Sequence, residues 1–270
     1  MTLPQIIGFG AHKAGTTWLH DNLIDNPSIW PSPIKEMQYF NHRMTGLKWM
    51  FPGMKRQLRR LRNKFEAGGM PEIAAQYDHL LSIEMLTEEW YRAAYARCPE
   101  EKQSLDITPA YALLDAENLR YMNALLGPNF KAIYLIRDPA DRIISAVRKH
   151  MSESGDKQFS VEHWLRQITE EPHRKRSDYE ATIQLLDDNL ADRVLYLPFK
   201  QVKTQPLELL RRVEKHCGLA AGAYPHASRV SHMSPRVHIP DGVIEAAQIL
   251  LRRQYDWLER RFPSDFLKAI

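Results

Sequence analysis

Residues 6–19 read Ile6-Ile7-Gly8-Phe9-Gly10-Ala11-His12-Lys13-Ala14-Gly15-Thr16-Thr17-Trp18-Leu19, and they decide the fold. A short apolar run passes through a loop bounded by two glycines into an amphipathic segment carrying Trp18, Leu19 and Leu23. The layout recurs twice. Ala132-Ile133-Tyr134-Leu135-Ile136 leads into a segment with Ile143, Ile144, Val147 and Met151 at helical spacing. Val194-Leu195-Tyr196-Leu197 leads into one around Leu207, Leu210 and Val213, ended by Cys217-Gly218. Continuous apolar strands alternating with helices predict a parallel sheet covered on both faces. A weaker fourth strand is expected from Gln103 to Ile107. A last long helix is expected from Asp241, with Val243, Ala247, Leu251, Leu258 and Phe262 on one face, stopping at Pro263. The expectation is one α/β domain over residues 1–270, a P-loop-like central parallel sheet flanked by helices.

Residues 43–97 break the alternation. Leu58, Leu61 and Phe65 make a helical apolar stripe closed by Gly68-Gly69. Arg43, Lys48, Lys55, Arg56, Arg59, Arg60, Arg62 and Lys64 all precede the first acid, Glu66. This reads as a helical insertion after the first βα unit. Its basic run is either a solvated face or a patch for an anionic ligand. Trp49, Phe51, Trp90 and Tyr91 are expected in the core.

Composition narrows the class. Over 270 residues, 44% are hydrophobic and 26% charged, which excludes a disordered chain. There is no run of about eighteen apolar residues, so no membrane span is expected. Lys+Arg 37 against Asp+Glu 33 leaves +4, too small an excess to indicate a nucleic-acid partner. Cys98 and Cys217 stand alone, so neither a disulfide framework nor a zinc site is expected. His226, His232 and His238 lie six apart, which is not a metal-ligand spacing. Met1-Thr2-Leu3-Pro4 runs into the first strand with no basic n-region, and a cytoplasmic address is the expectation.

The chemistry begins in the first loop. A glycine-bounded turn between a strand and a helix N-terminus is a nest of backbone N–H groups, favourable to an anion through unpaired donors and the helix dipole. Thr16 and Thr17 add hydroxyls. Gly10 and Gly15 have the separation of the GxxxxGK[ST] pattern, but Thr16 occupies the lysine position and the lysine lies inside the loop as Lys13. A lysine so displaced addresses a different atom from the one that grips a triphosphate beside Mg²⁺. No metal ligand set is expected.

A second site follows the Ala132–Ile136 run. Arg137 ends a strand, where ligands gather in open α/β sheets. Ser145 lies two turns into the next helix, whose mouth carries Asp138 and Asp141. Asp138 before Pro139 reads as an N-cap with proline at the first helical position. A phosphate here is held by the Arg137 guanidinium and the Ser145 hydroxyl, or else Arg137 simply pairs with Asp141.

Together these motifs resemble sulfotransferases that use 3′-phosphoadenosine 5′-phosphosulfate (PAPS). Lys13-Ala14-Gly15-Thr16-Thr17-Trp18-Leu19 looks like that family's 5′-phosphosulfate loop, and Arg137 to Ser145 looks like its 3′-phosphate motif. Lys35-Glu36-Met37-Gln38-Tyr39-Phe40 is similar to the KExxFF-type element, and Thr108-Pro109-Ala110-Tyr111 to the S/T-P-x-Y element, of the heparan-sulfate and bacterial branch. The resemblance implies that Lys13, Gly15, Thr16 and Thr17 hold the nucleotide's 5′ phosphosulfate, with Ala14 in the same cofactor-binding loop and Trp18 packing near the adenine. Arg137 and Ser145 would bind its 3′ phosphate, with Arg236 or Arg229 joining from the late loop. Glu36 matches the proposed base; His12, in the loop, is the competing one. Asp106, Thr108 and Tyr111 are candidates to face the acceptor, which the insertion 43–97 would cover. The chain departs from its relatives at Lys200-Gln201-Val202 and at His232-Met233-Ser234-Pro235-Arg236. The activity so implied is metal-independent sulfuryl transfer to a hydroxyl or amine of a small-molecule or glycan-like acceptor. A P-loop kinase using ATP–Mg²⁺ and a non-catalytic nucleotide-binding protein are the alternatives. Neither the acceptor nor the oligomeric state is legible.

Overall fold

A computed structural model describes residues 3–155, 160–229 and 238–270. Strand β1 (Ile6–Gly10), buried at all five positions, feeds helix α1 (Thr16–Leu23). A three-residue strand follows, β2 (Ile29–Pro31), too short to leave a sequence pattern. Four helices come next: α2 (Tyr39–Thr45), α3 (Phe51–Ala67), α4 (Pro71–Ser82) and α5 (Glu88–Tyr95). The chain then returns to the sheet as β3 (Gln103–Ile107). Helix α6 (Ala116–Leu126) leads to β4 (Lys131–Ile136), and β4 to α7 (Pro139–Ser154). Three helices, α8 (Val161–Thr169), α9 (Glu171–Lys175) and α10 (Tyr179–Leu190), precede β5 (Val194–Pro198). The remainder is α11 (Gln201–Thr204), α12 (Pro206–Cys217), α13 (Val243–Leu250), α14 (Arg252–Arg261) and α15 (Ser264–Lys268).

All five strands are parallel, in the order β2-β3-β1-β4-β5. The chain leaves β1 toward one edge, fills in β3, and then crosses to the other side as β4. A switch point therefore opens beyond the carboxyl ends of β1 and β4, where an open α/β sheet receives its ligand. The α/β architecture expected from the alternating strands is the one observed.

The insertion is helical, as its periodicity requires. Met54 and Leu58 bury the inner face of α3, and Phe65 stacks on Tyr77 of α4 with ring centroids 5.5 Å apart. Helix α5 ties the insertion to the sheet, because Trp90, Tyr91 and Tyr95 are fully buried. Trp49 is the exception among the expected core aromatics: it is 77% exposed. Leu207 is likewise half exposed, although its neighbours Leu210 and Val213 are buried.

The stripe from Val243 to Phe262 does not form one helix. It bends at Leu251 between α13 and α14. Val243, Ala247 and Leu251 pack with Ile143, Val147 and Trp164 in a cluster of their own, whereas Leu258 and Phe262 join the main core. Two separate cores claim the two halves of one stripe, and a straight helix would not serve both.

Candidate active site

Loop 10–17 curls because three of its residues take positive φ: Gly10 at 133°, Lys13 at 70° and Gly15 at 87°. The Ala11 N–H donates to the Leu135 carbonyl at 2.9 Å, strapping the loop to β4. Gly15 is the N-cap of α1 and offers no side-chain cap, so the first amides of the helix remain free to meet a ligand. A Cβ on Gly15 would lie 3.1 Å from the Phe199 ring, so this position is glycine for space as well as for φ.

Beyond the loop lies a cavity of about 640 Å³, within the usual range for a ligand site. The loop contributes His12, Lys13, Gly15, Thr16, Thr17 and Trp18 to its wall. The segment before α2 contributes Lys35 and Glu36; β4 and α7 contribute Arg137, Ser145, Arg148 and Lys149. Phe199, Lys203 and Arg229 complete the far side. Among the described residues, seven lysines and arginines line this space against two carboxylates, Glu36 and Asp141. Such a surplus in a concave site is an electrostatic trap for a polyanion.

Arg137 is held from several sides. One guanidinium nitrogen donates to the Lys13 carbonyl at 3.0 Å, and the group lies 4.7 Å over the Phe199 ring. Its backbone carbonyl accepts from the Tyr179 hydroxyl at 2.8 Å. The pair with Asp141 exists but is long, 3.8 Å, and Arg137 Nε is buried with no partner among the described residues. The salt bridge therefore does not satisfy the guanidinium. Ser145 is buried at 4% exposure one face along α7. Asp138 caps α7, accepting from the Asp141 N–H at 2.9 Å with Pro139 next in line, which settles its role as a cap.

Burial holds the Lys13 ammonium below its ordinary range, helped by Lys149 and Arg137 and opposed by Glu153. His12 is perturbed far more. Its pKa is pushed down to about 3, chiefly by burial and then by Arg176, Arg142, Lys149 and Lys13. The imidazole is neutral near pH 7, and its buried Nδ1 has no partner among the described residues. Trp18 is 2% exposed, and its indole N–H donates to the Ala227 carbonyl at 2.7 Å, fixing the ring at the cavity edge. Ala14 is fully buried and shapes the loop without lining the cavity.

Glu36 sits at φ 61° with its side chain 42% exposed, 3.7 Å from Lys35 Nζ and 3.4 Å from the Gln38 amide nitrogen that donates to it. Lys35 was not among the sequence candidates. Its ammonium donates to the Thr17 hydroxyl and is held down by burial, with Glu36 pulling the other way. It thus bridges the phosphate loop and the carboxylate. Its adjacency to Glu36 was the available signal. Arg148 and Lys149 were also missed, although they stand three and four residues past Ser145 and so share its helix face.

Asp106, Thr108 and Tyr111 do not reach the cavity. Asp106 accepts from the Tyr91 hydroxyl at 2.9 Å, the Tyr111 hydroxyl at 2.8 Å and the Thr108 hydroxyl at 2.7 Å. All three are buried to 1% exposure or less, so the expectation that they face an acceptor is corrected to a sealed network tying α5 to β3. Burial raises the Asp106 pKa against the pull of those hydroxyls. Only Pro109 of this segment lines the cavity, and no residue of 43–97 does, so the insertion does not form its wall. Arg236 and His232 lie outside the described residues; Arg229 lines the cavity.

The geometry agrees with what comparison finds. Three solved structures share the fold. A sulfotransferase from Alicyclobacillus acidocaldarius matches with TM-score 0.68 at 16% identity, over 98% of this chain and 99% of that one. The sulfotransferase domain of the curacin biosynthetic pathway matches with TM-score 0.55 at 16% identity, over 93% and 99%. A sulfotransferase from Mycobacterium avium matches with TM-score 0.57 at 11% identity, over 96% and 78%. No curated protein matches the sequence itself. A family model described as Sulfotransferase family covers residues 4–222, four-fifths of the chain including every motif above except the late loop. The chain belongs to the Sulfotransferase family.

Proposed function

We propose that this protein transfers a sulfuryl group from PAPS to a hydroxyl or amine of a small-molecule or glycan-like acceptor, in line and without a metal. One observation carries the reading: Lys13 with its loop, Arg137 with Ser145, and the Lys35–Glu36 pair all open into one cavity. The residues fit the nucleotide. The partnerless Arg137 Nε, the free amides of α1 and the cationic surplus all call for a polyanion of this kind. Lys13, Gly15, Thr16 and Thr17 would hold the 5′ phosphosulfate. Arg137 and Ser145, with Arg148 and Arg229 beside them, would hold the 3′ phosphate, and Trp18 would flank the base.

PAPS supplies an SO₃ group on a phosphate that leaves as a stable anion. Lys13 and Lys35 place positive charge where that anion develops, the dominant form of catalysis for such transfers. The acceptor's oxygen or nitrogen forms the new bond to sulfur as the sulfur–oxygen bond to phosphate breaks, and the acceptor's proton passes to Glu36. His12 is less suited to that task, since burial, helped by its cationic neighbours, makes it a weak proton acceptor. The buried free thiols of Cys98 and Cys217 suit a reducing cytoplasm. The unit that performs this is a single domain over residues 1–270.

Incubation with PAPS and an acceptor panel, followed by mass spectrometry, tests the reading. Sulfated product is expected in the presence of EDTA. Glu36→Gln should abolish turnover while keeping affinity for adenosine 3′,5′-bisphosphate. Stabilisation by ATP–Mg²⁺ exceeding that by the bisphosphate would instead identify a kinase. Tight bisphosphate binding with no product from any acceptor would identify a binding protein.

A further inference from the structure

The side chain of Arg137 is held by the Lys13 carbonyl and the Phe199 ring, but its backbone is held by other segments. Arg137 is the one residue between Ile136, the end of β4, and Asp138, the N-cap of α7. It lies past the ladder and before the first helical turn, so its own N–H and C=O need partners from elsewhere. One phenol supplies both. The Tyr179 hydroxyl accepts from the Arg137 N–H at 3.2 Å and donates to the Arg137 carbonyl at 2.8 Å, bridging the peptide groups on either side of one Cα.

Asp138 is held in the same manner. The Tyr255 hydroxyl donates to its carboxylate, 2.9 Å from Oδ1 and 3.0 Å from Oδ2, and accepts from the Ala140 N–H at 3.2 Å. With the Asp141 N–H already donating to Asp138, the first turn of α7 closes into a ring through that phenol. The Tyr255 ring itself packs against the cluster of Ile143, Trp164 and Val243.

The two tyrosines are linked. Tyr179 opens α10 and Tyr255 belongs to α14, yet Gln254 bridges the residues on either side of Tyr179. Its amide oxygen accepts from the Glu180 N–H at 3.0 Å, and its amide nitrogen donates to the Asp178 carboxylate at 3.1 Å. Gln254 is 8% exposed, so these bonds are poorly replaced by water. Adjacent residues of α14 thus grip the N-termini of α7 and α10 at once. Neither lines the cavity, and both lie beyond the residues 4–222 that the family model matches.

We propose that Gln254 and Tyr255 are positioning residues for the nucleotide: through Tyr179 and Asp138 they fix the backbone of Arg137, and so aim its guanidinium at the 3′ phosphate. The proposal rests on the sulfotransferase reading of that arginine. Discrimination of the 3′ phosphate is then set partly by a helix that does not touch the ligand. A guanidinium on an unfixed joint keeps its charge but loses the alignment that a forked contact requires.

Calorimetry with adenosine 3′,5′-bisphosphate and adenosine 5′-monophosphate reads the 3′-phosphate preference as a ratio of affinities. Tyr255→Phe removes one oxygen and should lower that ratio at least about threefold, with monophosphate affinity kept within about twofold. Gln254→Met should lower it in the same direction. In an Arg137→Ala background neither change should move the ratio by more than about 1.5-fold, because the effect runs through that side chain. Tyr196→Phe breaks a similar bond, to Asp187 at 2.7 Å, and should leave the ratio intact whatever it does to Tm. An unchanged ratio in Tyr255→Phe and Gln254→Met would overturn the proposal. So would equal losses for the two nucleotides, the mark of general loosening. A drop that persists without Arg137 would also overturn it, since the freed Asp138 carboxylate would then be repelling the phosphate directly. Should circular dichroism show Tyr255→Phe unfolded, the Gln254→Met result decides alone. Wild-type protein binding both nucleotides equally is seen before any variant is made; that outcome overturns the 3′-phosphate reading of Arg137 and this proposal with it.

Discussion

Replacing Gly15 by alanine separates two costs that the structure assigns to one position. At φ 87° an L-residue pays left-handed strain, about 1–2 kcal/mol. The new Cβ would also meet Phe199 Cε2 at 3.1 Å, Phe199 Cδ2 at 3.2 Å and Val202 Cγ2 at 3.4 Å. Displacing a packed ring adds about 1–3 kcal/mol. Gly218 is the internal control: it caps α12 at φ 65°, and a Cβ there meets nothing within 4 Å. With an unfolding entropy near 2.1 cal/mol/K per residue, Gly15→Ala should lower Tm by about 4–9 °C and Gly218→Ala by about 2–4 °C. The two variants should also differ in function. Phe199 lies under the Arg137 guanidinium, so moving the ring tilts the group assigned to the 3′ phosphate. Calorimetry should show bisphosphate affinity reduced about tenfold or more in Gly15→Ala, a loss near 1.4 kcal/mol, and unchanged in Gly218→Ala. Equal melting temperatures together with equal affinities would refute both the steric and the functional halves of this reasoning.

Three further outcomes follow from the same structure. Arg137→Ala should cost about 10- to 150-fold in the preference for adenosine 3′,5′-bisphosphate over adenosine 5′-monophosphate, and Arg137→Lys should not restore it, because an ammonium neither forks nor stacks on Phe199. A preference untouched by either change would remove Arg137 from the 3′-phosphate site. Since His12 has a folded pKa of about 3 and an unfolded one near 6.5, the unfolded chain binds the extra proton between those values, so stability present above pH 6.5 is lost as pH falls through this window. The loss from His12 is about 2 kcal/mol by pH 5, and His12→Asn should flatten the Tm-against-pH curve of the free protein accordingly; an unchanged slope would show that the imidazole is protonated in the fold. Asp106→Ala strands three buried hydroxyls and should cost about 3 kcal/mol or more in urea unfolding, with Asp106→Asn costing less; an alanine variant as stable as the wild type would contradict the sealed network.

Strands β1, β4 and β5 and the first helix were legible because each of those strands is an apolar run of β type followed by a helical stripe. The phosphate loop was legible for a similar reason. Its glycines, lysine and threonines are contiguous, so sequence order is also spatial order. Strand β2 was not legible, since three residues cannot display a period. The single helix expected at the end failed because its stripe serves two cores, and only packing reveals that there are two.

By itself, then, the order of residues determined the parallel sheet, the nest of amides with Lys13 inside it, and Arg137 at a strand end. Only the tertiary structure decided which distant groups share the cavity. Lys35 and Lys149 are 114 residues apart in the chain yet line one wall, and Asp106, one residue short of its strand's end, turns inward to Tyr91 and Tyr111. The reason is physical. Backbone conformation follows from neighbours a few residues away, whereas the direction of a side chain at a strand end depends on which hydroxyls and charges other segments bring to meet it.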